Sequence, residues 1–419
     1  MKFTHLKWGL SLALLISFNG VSQNLATRDN SSLPVAYEQP LTKNMVLSHK
    51  LTANDISKVA NHVANWQLNQ FDIRSNMMRS EGRASGIPQG WMYATFDIGL
   101  LAWADVSEQK QYSQSVINFS KLNDWTLGPR VYHADDHAIG SVYIDLYQTL
   151  GGEEKMSHLT SVFDEVLENQ LQTSLVFDDD KKMKQLSLGR EFNDPICTVR
   201  WCWADAIFMA PPVWTKLSAL TGNNKYLDFM DKEFWQTTEY LYNKEEQLYL
   251  RDSRYFERKD SKGRLVYWGR GNGWVLAGIV RVLESMPKDY KNRDKYIALY
   301  KEMSERLILL QQKDGSWPSS LLEVETNSTP ESSGTGLLVY ALAWGVNEKV
   351  LPADKSTLNA VKLGWHSLVD SVQPNGKLGW VQQVAFAPGS ATEQDTQLYG
   401  TGALLLAASQ VYKLAKLEE

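Results

Sequence analysis

The chain has 419 residues, enough for one large domain or two of ordinary size. Its formal net charge of −5 at pH 7 gives no electrostatic basis for binding nucleic acid or an anionic membrane. Two cysteines, Cys197 and Cys202, are too few for a cystine framework or a thiolate metal site, and the sequence leaves open whether they form a disulfide. The 15 Trp and 18 Tyr favour a carbohydrate ligand, although large cores also use Trp.

Residues 1–22 are predicted to be a secretory signal peptide. A basic start precedes the 11-residue apolar run Trp8–Phe18, and Gly20 and Ser22 then supply the small residues of a cleavage site. The run is too short to cross a bilayer, and no other stretch approaches that length. We therefore expect no membrane span, and export to a periplasm or to the medium.

Residues 23–50 are polar and irregular, and we expect an N-terminal extension that lies on the surface. From residue 51 to residue 419 the pattern is helical almost throughout, and β-type alternation is scarce. The first helical stretch places apolar side chains at Ile56, Val59, Ala60 and Val63. The sequence predicts one all-α domain over 51–419.

Six apolar, glycine-marked segments recur along this domain. The steps between them are 43, 69, 69, 62 and 66 residues, counted from Tyr93 through Asp136, Asp205, Trp274, Gly336 and Gly402. Each marker opens a helix that is apolar on all sides and hence buried, whereas the helices between are amphipathic. Six inner helices alternating with six outer helices describe an (α/α)6 barrel. An open solenoid or a two-domain bundle is less favoured, because the segments share no repeated sequence and no linker interrupts them.

The stretch Arg200–Pro212 places one carboxylate, Asp205, among Trp and Phe residues. Burial in such surroundings raises the pKa of a carboxyl group, which suits a general acid working near neutral pH. Aromatic faces also pack against the C–H faces of sugars. The alternative is that Asp205 only caps or pairs within a buried helix.

A second polar cluster consists of His133, Asp135, Asp136 and His137. We predict no metal site here, because there is no His-Glu-x-x-His pattern and no further ligand cluster at matching spacing. Helix capping by Asp135 or Asp136 is an alternative. The position of the cluster, one marker before Asp205, favours a carboxylate that faces Asp205 across the barrel mouth.

The glycine-rich segment Gly269–Gly273 has no strand before it and lacks the spacing of a phosphate-binding loop. We therefore predict no nucleotide cofactor. Arg270 and Asn272 are expected to be polar ligand contacts, with Trp274 as a stacking surface. An arginine at a concave mouth suits a carboxylated sugar, since a guanidinium can bind a carboxylate through two hydrogen bonds.

Four motifs occur together and in order: Trp203-x-Asp205, Trp268–Trp274, Glu331–Thr335 and Tyr399–Gly402. From about residue 93 to residue 407 the chain therefore resembles glycoside hydrolase family 105 and the related family 88. The resemblance implies an (α/α)6 barrel without metal or organic cofactor. It also implies an unsaturated uronyl hydrolase, which removes the Δ4,5-unsaturated uronic acid that polysaccharide lyases leave at non-reducing ends.

The resemblance also assigns roles to residues. It makes Asp205 the proton donor and acceptor, with Asp135, or alternatively Asp136, as the second essential aspartate. Its chemistry protonates C4 of the enol ether, adds water at C5 and expels the neighbouring sugar. The predicted substrate-binding residues are Tyr93, His133, His137, Arg200, Trp203, Arg270, Asn272 and Trp274.

Two departures from the family pattern lie near the predicted mouth. Residues 134–141 differ from the usual segment, and Arg200 stands where many members carry His. The sugar beyond the cleaved bond is therefore open, with rhamnose from rhamnogalacturonan or ulvan as the first expectation and a hexosamine as another. The alternative functions are a conventional inverting glycosidase, using Asp205 with Asp135 or Asp136, and a non-catalytic sugar-binding toroid. The sequence does not set the oligomeric state.

Overall fold

A computed structural model gives the fold of the protein. It describes residues 44–72, 77–80, 83–84, 86–187, 190–323 and 329–419. The predicted signal peptide and most of the predicted extension fall outside these residues, so both stay predictions.

The helices fall into two sets that alternate along the chain. The outer set is α1 (Ala53–Leu68), α3 (Lys110–Leu122), α6 (Ser157–Glu168), α9 (Asn224–Leu241), α11 (Arg293–Leu309) and α13 (Lys355–Asp370). The inner set is α2 (Trp91–Ser107), α5 (Gly140–Leu150), α8 (Pro211–Thr221), α10 (Gly269–Ser285), α12 (Ser332–Asn347) and α14 (Leu398–Glu418). Two four-residue helices, α4 (Ala134–His137) and α7 (Ala206–Met209), directly precede α5 and α8.

The inner helices form a closed ring. Each packs on the next in the order α2, α5, α8, α10, α12 and α14, and α14 packs back on α2. Helices α10 and α12 are buried on nearly every side, whereas α11 and α13 bury one face only. This is the (α/α)6 barrel that the apolar segments predict, and the prediction is confirmed.

Glycines permit the close crossing of the first and last inner helices. A Cβ at Gly99 would lie 2.3 Å from the carbonyl oxygen of Gly402, and a Cβ at Gly402 would lie 2.3 Å from the carbonyl oxygen of Thr95. Neither position has room for any larger residue without moving a backbone. The glycine marker on α14 therefore reflects backbone-to-backbone contact.

Capping side chains fix where several helices begin. The hydroxyl of Thr52 accepts the backbone N–H of Asp55 at the start of α1, and Asp354 accepts that of Thr357 at the start of α13. Glu331 accepts the backbone N–H of Gly334 at 2.7 Å at the start of α12. The inner helices start at one mouth of the barrel, where Trp91 of α2 contacts Tyr399 of α14.

Short antiparallel strands, which the helical pattern did not predict, lie in the segments that connect the helices. They are β1 (Phe71–Asp72), β2 (Met77–Ser80), β3 (Arg83–Ala84), β4 (Lys182–Ser187), β5 (Arg190–Pro195), β6 (Tyr242–Asn243) and β7 (Leu248–Tyr249). The hairpin β4–β5 is the longest, with Lys182 opposite Pro195. No helix in the described part of the chain combines the length and apolar character that a bilayer crossing needs.

Candidate active site

Asp205 lies at the barrel mouth, immediately before α7, at the end of a constrained loop. A disulfide joins Cys197 to Cys202, and the carbonyl of Trp201 accepts the hydroxyl of Thr237 at 2.9 Å. The backbone N–H of Ala204 donates to the carbonyl of Arg251. The loop is therefore fixed to α9 and to the segment after β7, which sets the position of the carboxyl group.

The side chain of Asp205 is 13% exposed, and this burial raises the pKa of its carboxyl group. The charges of Arg251 and Arg270 oppose the rise. The Nε atom of Arg251 lies 3.4 Å from Oδ2 of Asp205, and neither atom has a hydrogen-bond partner within the described residues. A buried carboxyl group with a raised pKa and an unsatisfied oxygen can hold a proton and deliver it to a ligand.

Asp135 is the second carboxyl group at this mouth. Burial raises its pKa to about 7; the charge of Arg130 opposes the rise, and those of Asp136 and Asp205 add to it. Asp135 lies on α4, and α4 packs against α7, which begins directly after Asp205. His133 caps helix α4 by accepting the backbone N–H of Asp135, and its ring lies 4.9 Å from that of Trp203. The structure therefore groups Asp135, His133, Trp203 and Asp205.

The side chain of Asp136 contacts Arg130, although Asp136 directly follows Asp135 in the sequence. Its carboxylate accepts the Nη2, Nε and backbone N–H groups of Arg130 at 2.6, 3.1 and 2.7 Å. The same guanidinium reaches Asp194 of strand β5 at 3.0 Å. Asp136 thus anchors the hairpin β4–β5 at the rim. Of the two alternatives for the second aspartate, the geometry favours Asp135.

Three predicted residues of α10 hold the barrel together at this mouth. Arg270 is 1% exposed and donates to the carbonyls of Gln382 and Gln383 at 2.6 and 3.0 Å. Asn272 bonds to both backbone groups of Tyr249 in strand β7. Trp274 is buried, and its ring packs 4.7 Å from that of Phe208. Their predicted substrate contacts stay predictions.

Two further predicted residues have their polar groups bonded inside the protein. The Nε2 group of His137 pairs with the carbonyl of Val131 at 2.7 Å, while its Nδ1 accepts the indole N–H of Trp214. Burial lowers the pKa of His137 to about 4, so the ring is neutral. Arg200 is bound by Glu233 at 2.5 Å and by Gln236 on helix α9. In the described part of the chain, the hydrogen bonds of these two side chains go to groups other than Asp205.

Tyr93 lies on the first inner helix, and its hydroxyl accepts the backbone N–H of Met78 at 2.6 Å. It also donates to the carbonyl of Met78 at 3.3 Å. Tyr93 thereby ties strand β2 to the barrel. A contact with ligand stays a prediction for this residue.

Sequence reasoning missed an arginine pair beside Asp205. Arg251 and Arg254 both bind the carboxylate of Asp252, with Nη1 of Arg251 at 2.6 Å and Nη2 of Arg254 at 2.9 Å from Oδ2. Asp252 is fully buried; burial alone would raise its pKa, but the two guanidiniums outweigh it and lower the pKa. The signal was the run Arg-Asp-Ser-Arg after the aromatic strand β7, in which alternating charge indicates a local network.

The site offers acid–base chemistry on a ligand that enters the mouth. Two carboxyl groups have raised pKa values, and Arg251 lies beside one of them. Within the described residues, no group of three or more His, Cys, Asp or Glu side chains is arranged to hold a metal ion.

Comparison with known proteins identifies relatives across most of the chain. An "Unsaturated 3S-rhamnoglycuronyl hydrolase" of Alteromonas sp. (strain LOR) is 40% identical over 355 residues, which cover 84% of this chain and 85% of that protein. One of the same description from Formosa agariphila is 37% identical over 333 residues, covering 78% of this chain and 85% of that protein.

Solved structures share the fold. A glycosyl hydrolase family 88 protein from Bacteroides vulgatus superposes with a TM-score of 0.72 at 25% identity, covering 86% of this chain and 99% of the other. A possible GH105 member from Salmonella enterica gives a TM-score of 0.65 at 15% identity, covering 90% and 98%. This second likeness concerns the fold alone.

The family model described as Glycosyl Hydrolase Family 88 matches residues 59–415, which include every inner helix start from α2 to α14. The resemblance to families 105 and 88 is thereby confirmed, and with it the assignment as a glycoside hydrolase. The chain belongs to glycoside hydrolase family 88.

Proposed function

We propose that the protein removes a Δ4,5-unsaturated uronic acid from the non-reducing end of oligosaccharides in which the next sugar is rhamnose. The observation that carries the proposal is the pair of buried carboxyl groups, Asp205 and Asp135, with raised pKa values at one barrel mouth. The printed names of the 40% and 37% identical relatives support the substrate class. Of the sugars that the sequence leaves open, these names favour rhamnose.

The proposed reaction begins with Asp205 in its protonated form. Asp205 transfers its proton to C4 of the enol ether, and positive charge develops at C5, shared with the ring oxygen. Water then adds at C5 as the Asp205 carboxylate takes one of its protons. The resulting hemiketal opens and releases the neighbouring sugar. The scheme consumes one water molecule and restores the proton on Asp205.

The environment of the site suits each step of this scheme. Burial keeps Asp205 protonated at a pH where an exposed carboxyl group would be ionised. The nearby Asp135, with a pKa of about 7, can carry negative charge close to C5 as positive charge builds there. The ring pair of His133 and Trp203 forms a fixed wall beside the two carboxyl groups.

We also propose that the protein is exported. The Cys197–Cys202 disulfide supports this, because such bonds persist in oxidising compartments and are rare in the cytosol. The predicted signal peptide over residues 1–22 supports it independently. Recovery of a protein that begins at Gln23 from the periplasmic or culture fraction of the native host is the expected result, and a cytoplasmic protein that retains residues 1–22 would contradict it.

Loss of absorbance near 235 nm tests the reaction, because the conjugated unsaturated uronate absorbs there and the product does not. Oligosaccharides released by a lyase from ulvan and from rhamnogalacturonan are incubated in parallel with wild type, Asp205→Asn and Asp289→Asn. Asp289 is an exposed aspartate in the loop before α11, so its variant is a matched control.

We expect wild type and Asp289→Asn to abolish the band at equal rates on a rhamnose-containing pool. The Asp205→Asn enzyme is expected to be slower by at least about 1,000-fold, since it lacks the acid for C4. Release of saturated reducing sugars with an unchanged 235 nm band would instead indicate an inverting glycosidase. Sugar binding with no turnover by any form would indicate a binding protein.

A further inference from the structure

The hydrogen bond that His133 accepts fixes the position of its ring proton. Its Nδ1 atom accepts the backbone N–H of Asp135 at 3.2 Å, which requires a lone pair on that nitrogen. The proton of the neutral ring therefore lies on Nε2. Burial, together with the nearby charge of Arg130, lowers the pKa of His133 well below its usual range, so the ring is neutral at pH 7. His133 is thus a hydrogen-bond donor with a fixed tautomer.

The Nε2–H group of His133 has no acceptor in the described part of the chain, and neither has the indole N–H group of Trp203. The two rings lie 4.9 Å apart at an angle of 45°. His133 is 6% exposed and Trp203 is 4% exposed. Buried ring N–H groups normally find an acceptor, because a buried donor without one costs free energy. Two adjacent donors without an acceptor therefore indicate a ligand that supplies oxygen atoms.

The arginines near these two rings already have partners. Arg270, which the sequence predicts as a ligand contact, donates to two backbone carbonyls at 2.6 and 3.0 Å. Arg130 binds two carboxylates at 2.6 and 3.0 Å. Arg251 lies 2.6 Å from a carboxylate oxygen of Asp252 and 3.4 Å from one of Asp205. These guanidiniums are engaged by groups of the protein, whereas the two ring N–H groups are not.

The unsaturated uronic acid brings a carboxylate to this part of the mouth. That carboxylate is bonded to C5, the neighbour of the C4 atom that Asp205 protonates in the proposed reaction. A substrate positioned for proton transfer therefore holds its carboxylate close to Asp205 and Asp135. A carboxylate that leaves water beside two other carboxyl groups is costly unless N–H groups bond to its oxygens.

We propose that the Nε2–H group of neutral His133 and the indole N–H group of Trp203 bind the carboxylate of the unsaturated uronic acid. The inference rests on the proposed function, which supplies this carboxylate. Hydrogen bonds to a carboxylate are charge-assisted even when the donor is uncharged. A further cation beside Asp205 would lower the pKa of this acid, and two neutral donors avoid that effect. The pair recognises a uronic acid and leaves Asp205 able to hold its proton.

The test compares two substrates that differ only at the carboxyl group. One is a Δ4,5-unsaturated uronyl–rhamnose disaccharide, and the other is the same disaccharide with its carboxylate reduced to CH2OH. Both keep the enol ether, and chromatography of released rhamnose gives kcat and KM for each. The intrinsic reactivities of the two substrates are the same for every enzyme. A change in the ratio of kcat/KM from one enzyme to another therefore isolates the contact with the carboxylate.

Two replacements of His133 separate its two hydrogen bonds. His133→Asn keeps an acceptor at the place of Nδ1 and has no donor at the place of Nε2, whereas His133→Gln keeps an N–H group at the place of Nε2. Trp203→Phe keeps a ring beside His133 and removes the indole N–H. The matched control is His158→Asn. His158 also accepts a backbone N–H through Nδ1, from Leu127 at 3.1 Å, but it lies on the outer helix α6.

We expect His133→Asn to lower the ratio of kcat/KM for the carboxylate over the reduced substrate by about 10- to 100-fold relative to wild type, the range for a charge-assisted hydrogen bond. The loss should appear as a higher KM for the carboxylate substrate, because the contact is present in the ground state and the transition state alike. Trp203→Phe should also lower the ratio. His133→Gln and His158→Asn should keep a ratio near that of wild type.

An unchanged ratio in a folded His133→Asn enzyme would overturn the inference. A fall in kcat that is equal for both substrates would overturn it as well, since His133 would then only position Asp135. If thermal unfolding shows that His133→Asn does not fold, Trp203→Phe decides, and an unchanged ratio in that enzyme rejects the two-donor site. Failure of wild type to release rhamnose from either disaccharide would instead contradict the proposed function.

Discussion

Asp135 and Asp136 are adjacent in the sequence, and replacing each by asparagine is expected to change stability in opposite directions. Asp136 is buried and accepts three N–H groups from Arg130. Removing one member of a buried ion pair costs about 3–5 kcal/mol. Because the Arg130 side chain is 18% exposed and asparagine keeps one acceptor oxygen, we expect Asp136→Asn to cost about 2–4 kcal/mol.

Asp135→Asn is expected to stabilise the fold at neutral pH. The pKa of Asp135 is about 7 in the folded protein, against about 3.9 for an unfolded chain. When folding raises the pKa of a carboxyl group, the free energy of unfolding falls as the pH rises from the pKa of the unfolded chain to that of the folded protein. For Asp135 this range is about pH 4 to pH 7. The side chain of Asp135 is 20% exposed, and solvent reduces the energetic cost of its charge. We therefore expect the ionised carboxylate to lower the free energy of unfolding by about 2–4 kcal/mol at pH 7.

Thermal unfolding followed by tryptophan fluorescence measures both effects. At about 2.1 cal/mol/K per residue over roughly 370 residues, 2–4 kcal/mol corresponds to about 3–5 °C in Tm. We expect Asp136→Asn to lower Tm by this amount at pH 7.5 and Asp135→Asn to raise it. The Asp135→Asn gain should vanish near pH 4, where wild-type Asp135 is protonated.

The same two proteins are assayed for turnover at 235 nm. Asp135→Asn is expected to lose most activity in spite of its higher Tm, whereas Asp136→Asn keeps activity below its unfolding temperature. A lower Tm for Asp135→Asn, or a gain that does not depend on pH, would refute the assignment of a strained, ionisable Asp135. Full activity of Asp135→Asn would refute its role as the second carboxylate.

Three other predictions concern the residues around this pair. Arg251→Gln removes a positive charge that lowers the pKa of Asp205, so this pKa should rise further. Because the reaction needs protonated Asp205, the alkaline limb of the kcat–pH profile should move to higher pH. An unchanged alkaline limb would contradict the interaction between Arg251 and Asp205. Reduction of the Cys197–Cys202 disulfide should cost about 2 kcal/mol and lower Tm and turnover together, whereas a reduced enzyme of unchanged Tm would show that the bond is dispensable. Gly402→Ala should lower Tm by more than Gly222→Ala. A Cβ at residue 402 would collide with the backbone of α2, whereas a Cβ at residue 222 would have open space and only the strain of a positive φ. Equal decreases in Tm would contradict the close contact between α14 and α2.

The fold was predictable because its signal is local and repeated. Helices α10 and α12 are apolar around their whole circumference, and such helices are buried wherever they occur. The marker glycines were also informative, since Gly402 has no room for a side chain. The hairpin β4–β5 was not predicted because its strands are rich in polar and charged residues and lack the alternation of apolar and polar residues that indicates a strand.

The site was only partly predictable because a buried charge does not reveal its partner in the sequence. The sequence predicts Arg200 as a substrate contact, whereas in the folded protein its guanidinium donates to Glu233 and Gln236 of helix α9. Arg251 was missed because its proximity to Asp205 depends on a contact across 46 residues of chain. The choice between Asp135 and Asp136 needed the position of Arg130, which only the folded loop provides.

The packing of α14 on α2 has a consequence for how the molecule folds. These two helices are roughly 300 residues apart in the chain, and their contact completes the ring. Until α14 docks, helices α2 and α12 expose apolar surface to water. The entropy cost of bringing these distant parts of the chain together is therefore offset by burial only in a late step of folding. A chain that crosses a membrane unfolded would take this step after translocation, which makes barrel closure a vulnerable stage for aggregation and for proteases.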